Sequence, residues 1–371
     1  MSAVAFALER PDREELERWW TDLEQRAEIT AFLAWSWIGT WIDVAGMPDA
    51  VLVGRANREI VCLGLLRRGM ERRHGFVRSR TLYLHQSGRS DEDIIFIEYN
   101  GVLTDRRYAS LLDDAVTFLG GSGGVDEVDL GGITTADHQR LEQAGIRTLV
   151  TARKTSAYVD LKQLRDRGGE YLASISSNSR YQIKRAVKAY EERGRLSLQA
   201  AGSKEQALAF FEALGALHEA GWQRRGAVGA WHYPFLVRFH RRLIERSFDA
   251  GGMEIVRIAC GEEAIGYIYC VNRGGWSGSY LSGFAYEEDN KIKPGLVSHY
   301  LHIEHKLRTG GDILDFLAGD HRYKTSLGVP GTDMVWVKAQ QKRPALMLEG
   351  ALRWLKRRVE QRRAARAQAG S

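Results

Sequence analysis

The chain has 371 residues, 44% hydrophobic and 27% charged, a globular composition long enough for two domains of ordinary size and too apolar for a disordered polymer. Its formal charge is +6, yet the stretch from Lys342 to Arg366 alone carries nine Lys/Arg against Glu349 and Glu360, an excess of +7. The remainder is close to neutral, which argues against a nucleic-acid surface spread over the whole body.

In chain order, the N-terminus (Glu9, Arg10, Asp12, Arg13, Glu14, Glu15) lacks the basic-then-apolar order of a secretory signal. No later run approaches the roughly 18 apolar residues of a spanning helix. A cytoplasmic protein is therefore expected. Trp19, Trp20, Trp35, Trp37 and Trp41 follow and read as core and helix packing. Val51 to Arg55, a turn at Asn57-Arg58-Glu59, and Ile60 to Leu66 predict a hairpin. Leu111 to Leu119 predicts a helix, closed by Gly120 to Gly124 and followed by a strand from Asp126 to Gly132.

Tyr171 to Arg193 predicts a basic helix, with the Ser176-Ser177-Asn178-Ser179 cluster suited to capping it. A second helix, Lys204 to Glu219, is amphipathic through Ala207, Phe210, Phe211, Leu214 and Leu217, and a loop opens at Trp222. Ile255 to Cys260 and Ala264 to Val271 predict another hairpin, then a strand ends at Ser279-Tyr280-Leu281-Ser282-Gly283. A polar loop leads to Lys293-Pro294-Gly295, a helix runs from about Leu296, a strand covers Asp312 to Phe316, and Gly319-Asp320-His321-Arg322-Tyr323-Lys324 follows. Cys62, Cys260 and Cys270 lie in apolar strand-like runs without a C-x-x-C pair, so neither a disulfide nor a thiolate metal site is expected.

The two halves show hairpin, strand, helix, Gly-rich turn and strand in one order, about 190 to 200 residues apart. Two copies of a mixed α/β unit are expected, over 1–150 and 151–340, with a basic tail at 341–371. In that tail Leu348, Leu352, Leu355 and Val359 recur at helical spacing. They predict a helix docked by its apolar face with its arginines solvated; contact with an anionic membrane surface or with RNA is the alternative.

Asn178-Ser179-Arg180 before a basic helix, His218 with Trp222 and Arg225-Gly226, the strand ending Ser282-Gly283, Pro294-Gly295, Asp315-Phe316-Leu317, and Gly319-Asp320 before Tyr323-Lys324 occur in one order. That order resembles the bacterial acetyltransferase (CelD-like) family associated with cellulose and exopolysaccharide gene clusters. It is more distantly similar to the Fem peptidyl transferases, which use aminoacyl-tRNA. The resemblance covers about residues 15 to 340 and implies a tandem fold of two Gcn5-related N-acetyltransferase (GNAT) units, an acyl-CoA donor such as acetyl-CoA, and an amine acceptor on a small molecule. The Fem likeness implies tRNA as the alternative donor carrier, and a non-catalytic part in polysaccharide assembly is a third reading.

On that reading the donor phosphates would lie at the start of the helix, at Lys293, Pro294, Gly295, Leu296, Val297 and Ser298, where free amides and the positive end of the macrodipole attract an anion. The loop holds one glycine and a proline that has no amide, so the cradle is incomplete. Tyr323 is the expected general acid toward a departing thiolate and Lys324 the expected partner of a developing oxyanion. Asp315, Asp320 and Glu287 are candidates for the base that deprotonates the amine. His218, Trp222, Arg225, Tyr280 and Ser282 are candidate acceptor-binding residues. His299, His302 and His305 recur every third position and spread over about 120° of a helix face, and the order His302-Ile303-Glu304-His305 is not the H-E-x-x-H arrangement that places two ligands on one face, so no metal is expected.

Overall fold

The computed structural model describes residues 3–289, 291–319, 322–354 and 358. The first half contains β1 (Ala5–Glu9), α1 (Arg13–Gln25), α2 (Trp35–Ala45), β2 (Ala50–Ala56), β3 (Glu59–Arg73), β4 (Val77–Leu84), β5 (Leu103–Thr104), α3 (Leu112–Gly121), β6 (Glu127–Thr134), α4 (Thr135–Gln143) and β7 (Arg147–Asp160). The second contains α5 (Leu161–Asp166), α6 (Tyr171–Ser174), α7 (Ser177–Glu191), β8 (Leu196–Ala200), α8 (Lys204–Gln223), α9 (Pro234–Ser247), β9 (Met253–Cys260), β10 (Glu263–Arg273), β11 (Trp276–Phe284), α10 (Pro294–Thr309), β12 (Ile313–Asp315), α11 (Arg322–Leu327) and β13 (Val329–Gln340). A last helix, α12, spans 344–354.

The repeat read from the sequence is present as a repeat of structure. In each half a hairpin (β2–β3, β9–β10) leads antiparallel into a third strand, and a helix then returns the chain to a strand lying parallel to that third one: β4 with β6, β11 with β12. The first hairpin turns at Asn57 and Arg58, both in the left-handed region at φ 50° and 68°; positive φ at both central residues matches the twist of the flanking strands.

All strands but β5 follow one another in a continuous mixed sheet, ordered β1-β2-β3-β4-β6-β13-β7-β12-β11-β10-β9-β8. The two units interlock at its centre. β7 is long enough to pair over Arg147–Tyr158 with β13 on one side, and over Tyr158–Asp160 with β12 on the other. β13, which the sequence reading left unassigned, leaves the second unit and inserts between β6 and β7 of the first.

One face of the sheet is covered by α1, α2, α8 and α9, whose apolar sides form a core shared by both halves. The N-terminal tryptophans thus pack across the molecule: the Trp37 ring meets Phe239 of α9 at 4.7 Å and Tyr280 of β11 at 5.4 Å. The opposite face carries separate cores, under α3 and α4 in the first half and under α7 and α10 in the second.

Several boundaries differ from the sequence expectation. The helix expected over Tyr171 to Arg193 is broken: Ser176 Oγ accepts the Ser179 amide at 3.2 Å and starts α7. α8 continues to Gln223, so Trp222 is helical rather than the start of a loop. α10 begins at Pro294, whose fixed φ and missing amide suit a first helical position. In α12 the expected apolar docking face is turned outward: Leu348 and Leu352 are exposed, while Leu346 and Glu349 face the body. Leu355 and Val359 lie outside the described residues.

Candidate active site

A cavity of about 1560 Å³ opens between the two halves. Its second-unit wall comes from the end of α8, the end of β11, and the starts of α7 and α10. Its first-unit wall comes from Ile94, Phe96 and Glu98, with Lys154 of β7 and Trp336 of β13. The interlocked sheet is what brings these together, because β7 and β13 run past the β12 end where α11 follows.

Gly283 sets the spacing of the acceptor-side wall. A Cβ there would lie 2.3 Å from the Leu214 carbonyl oxygen and 2.9 Å from the His218 amide, so only glycine lets β11 approach the α8 backbone this closely. His218 Nδ1 then donates to the Ser282 carbonyl at 2.9 Å. That bond fixes the tautomer and leaves Nε2 as the acceptor, while burial lowers the imidazole's pKa and keeps it neutral. Arg225 lies over Trp222 at 5.2 Å and over Tyr286 at 5.7 Å. His218, Trp222, Arg225, Tyr280 and Ser282 all line the cavity.

On the expected donor side, Lys293, Pro294, Gly295 and Leu296 line the cavity, whereas Val297 and Ser298 do not and are buried beneath it. The amides of Leu296 and Val297 both donate to the Lys293 carbonyl at 3.1 Å. With proline beside them, α10 offers the Gly295 amide but no row of amides to a phosphate. Two features compensate. Ser176, Asn178, Ser179 and Gln182 bring the N-terminal turns of α7 to the same wall, and Lys293 Nζ donates to Gln182 Oε1 at 2.8 Å, tying the two helix starts together. An acyl-CoA's anionic end would meet two positive helix ends and a lysine rather than a glycine-rich wrap.

Tyr323 and Lys324 of α11 also line the cavity. The Tyr323 ring stacks on His299 at 4.9 Å with an interplanar angle of 13°. Burial drives the phenol pKa up, so it stays protonated and available as a donor. Lys324 is buried, and its Nζ donates to the carbonyls of Leu317 at 3.1 Å and Ala318 at 2.9 Å. The ammonium thus holds the loop after β12. That loop is strained: Leu317 sits at φ 61°, a region side chains other than glycine seldom occupy.

Of the three base candidates, Asp315 and Glu287 lie apart. Asp315 is absent from the cavity lining and faces a second groove with Ser156 and Thr332. It accepts from the Tyr99 hydroxyl and, at 2.7 Å, from the Leu317 amide, so it anchors the strained turn. Glu287 sits on the cavity rim in an ion pair with Arg193 at 2.7 Å. Asp320 lies outside the described residues.

The acid that the sequence reading missed is Glu98. It comes from the first half, is buried, lines the cavity, and accepts the Ala318 amide at 2.7 Å. Burial is the main reason its pKa rises to about 7; the Ala318 hydrogen bond and the charges of Lys324 and Lys154 oppose that rise, while Asp315 adds to it. A carboxylate poised there can take a proton at physiological pH. The sequence signal was an acid inside the apolar run Ile94-Ile95-Phe96-Ile97-Glu98-Tyr99, where an acid is rarely buried without a purpose.

Two of the three histidines of α10 meet at one carboxylate: His302 lies 3.2 Å and His305 3.6 Å from Glu254, which also pairs with Lys306 at 2.8 Å. His299 turns instead to the cavity, where burial lowers its pKa to about 3. Among the described residues no three ligating side chains are grouped to hold a metal.

Residues 177–325 match the family described as acetyltransferase (GNAT) domain. No curated protein sequence matches the chain at a significant level. Among solved structures, FemX is similar over 92% of this chain and 99% of its own, with a TM-score of 0.56 at 10% identity. L-PGS from Bacillus licheniformis is similar over 92% of this chain and 96% of its own, with a TM-score of 0.51 at 13% identity. A conserved protein of unknown function from Bacteroides thetaiotaomicron is similar over 91% and 100%, with a TM-score of 0.52 at 11% identity. The chain has a tandem GNAT-like fold, and the matched domain makes it an acyltransferase in class.

Proposed function

We propose that the protein is an N-acyltransferase that moves an acyl group from an acyl-CoA thioester to the amine of a sugar, amino acid or related metabolite. The observation that carries this reading is the placement of Glu98 and Tyr323, a base and an acid from different halves, on one cavity. Glu98 takes a proton from the acceptor's ammonium, and the freed amine attacks the acyl carbon. As the tetrahedral adduct collapses, the carbon–sulfur bond breaks and the departing thiolate takes the Tyr323 proton. Glu98 then returns its proton to solvent, and the second proton that the acylated nitrogen loses in becoming an amide reprotonates the Tyr323 phenolate. Lys324 acts here as a positioning residue, through the carbonyls of Leu317 and Ala318. The motif resemblance to the polysaccharide-associated family makes amino sugars the first acceptors to try.

One observation favours a second donor. With the Leu296 and Val297 amides already bonded, α10 lacks the amide row that a coenzyme A pyrophosphate uses. An aminoacyl ester carried by tRNA, as in the Fem resemblance, needs no such row. Calorimetric titration with acetyl-CoA separates the two. Saturable binding lost in a Lys293→Ala, Gly295→Trp double variant supports the coenzyme A reading. No acetyl-CoA binding, with tRNA binding that falls steeply with salt, supports the other.

A further inference from the structure

Helix α12 meets the body along one side only. Leu346 and Glu349 are about 1% exposed, Arg73 reaches Glu349 at 3.0 Å, and Arg147 donates to the Leu346 carbonyl at 3.0 Å. The other side presents Met347, Leu348, Leu352 and Trp354, which are 47–53% exposed. At about 100° per residue these four fall within one half of the helix circumference, away from Leu346 and Glu349. The tip of the β3–β4 hairpin meets the docked side of α12, where His74 lies 3.4 Å from both Arg353 and Glu349, and it carries Phe76, which is 44% exposed.

The apolar face is edged with positive charge. Arg358 covers the Trp354 ring at 4.2 Å, while Arg343 pairs with Asp126 and Arg353 with Glu349 on the docked side. Glu349 is taken up by Arg73 and Arg353, and Arg343 by Asp126, so in the sequence from Lys342 to Arg366 seven further basic residues stand against Glu360. A patch of Met, Leu, Trp and Phe this exposed on a monomer marks a contact surface. Its chemistry selects the occupant. A second copy of the chain would bring arginines against arginines, and RNA would use the arginines while leaving the leucines in water. Leu, Met and Trp inserted at the acyl boundary with arginines at the headgroups suit an anionic bilayer.

We propose that α12 and the hairpin tip dock the protein on the surface of an anionic phospholipid membrane, as an interfacial contact and not a span. The test is co-sedimentation of the full chain with vesicles of phosphatidylcholine alone or phosphatidylcholine with phosphatidylglycerol. The expected result is binding to the mixed vesicles only, weakened by salt. A Leu348→Ser, Leu352→Ser, Trp354→Ser variant, unchanged in charge and exposed at every site, is expected to melt like the wild type and to bind at least about tenfold more weakly. Phe76→Ser, on the other element, is expected to weaken binding independently. The proposal is overturned if the wild type ignores anionic vesicles, if the serine variant binds them equally well, or if the chain pellets equally without vesicles through self-association. It is also overturned if bulk tRNA, but not vesicles, binds, which would make the surface an RNA contact.

Discussion

The Ala318 amide donates to Glu98 Oε2 at 2.7 Å across 220 residues of sequence. The loop that precedes α11 in the second half is thereby registered against an acid of the first half. The carbonyl of the same peptide unit, that of Leu317, accepts from Lys324 Nζ at 3.1 Å, so one peptide unit links the base candidate to the residue beside the acid candidate.

Glu98→Gln keeps an acceptor for the Ala318 amide and removes the base. Turnover should fall by roughly 10²–10⁴-fold with little change in melting temperature. In the wild type, kcat/KM should rise with pH through about 7 as Glu98 ionises, because the base works only above its pKa. Thiol release from acetyl-CoA over a panel of amines would measure both. An unchanged acid limb in the variant would remove Glu98 from the mechanism.

Acid should destabilise the fold through its buried imidazoles. Burial lowers His85 to about 4 and His240 to about 3. Both stay neutral in the folded chain while their unfolded counterparts protonate near 6.5. The unfolded state then binds more protons, so stability is lost as pH falls below about 6.5, by roughly 2 kcal/mol per histidine at pH 5. His240→Phe should shrink the difference between denaturant melts at pH 7 and pH 5 by about that amount. An unchanged difference would mean that the imidazole is solvated.

Gly283→Ala tests the close approach of β11 and α8. Two backbone atoms crowd the added methyl, neither of which can rotate away, so the change should cost about 1–3 kcal/mol. Displacing α8 also moves His218 off Ser282, and acceptor affinity should drop with stability.

Arg73→Ala should be among the costliest surface-proximal changes. The guanidinium lies between Glu71, Glu127 and Glu349, and two of those carboxylates have side chains that are 0% and 1% exposed. Removing their common partner leaves buried acids uncompensated, a loss of about 3–5 kcal/mol. Thermal melting reads the loss, and proteolysis near residue 344 should quicken as α12 comes away.

What the sequence made legible followed local chemistry. Ser176 at a cap, Pro294 at a helix start, and Tyr323 beyond a strand are decided within a few residues, and the repeated hairpins carry their own alternation. Glu98 was hidden because its neighbours come from Ala318 and Lys324, more than 200 positions on. β13 was hidden for the same reason, since β6 and β7 become its partners only after the second unit has formed. For α12 the spacing was helical but the docking face was assigned to the leucines. Leu348 and Leu352 share a stripe, yet the body holds the helix through Arg73 and Glu349, and no periodicity encodes a charge offered by a distant hairpin.

The insertion of β13 between β6 and β7 also sets an order for biosynthesis. When the first unit has emerged from the ribosome, β6 and β7 still await the strand that will lie between them, and some 170 residues of nascent chain must follow before Val329 arrives. Each presents an open edge, and unpaired edges invite wrong partners. Neither half can therefore be expected to mature alone: maturation is a single event late in synthesis, and expression yield should depend on chaperone supply more than it would for two domains folding in sequence.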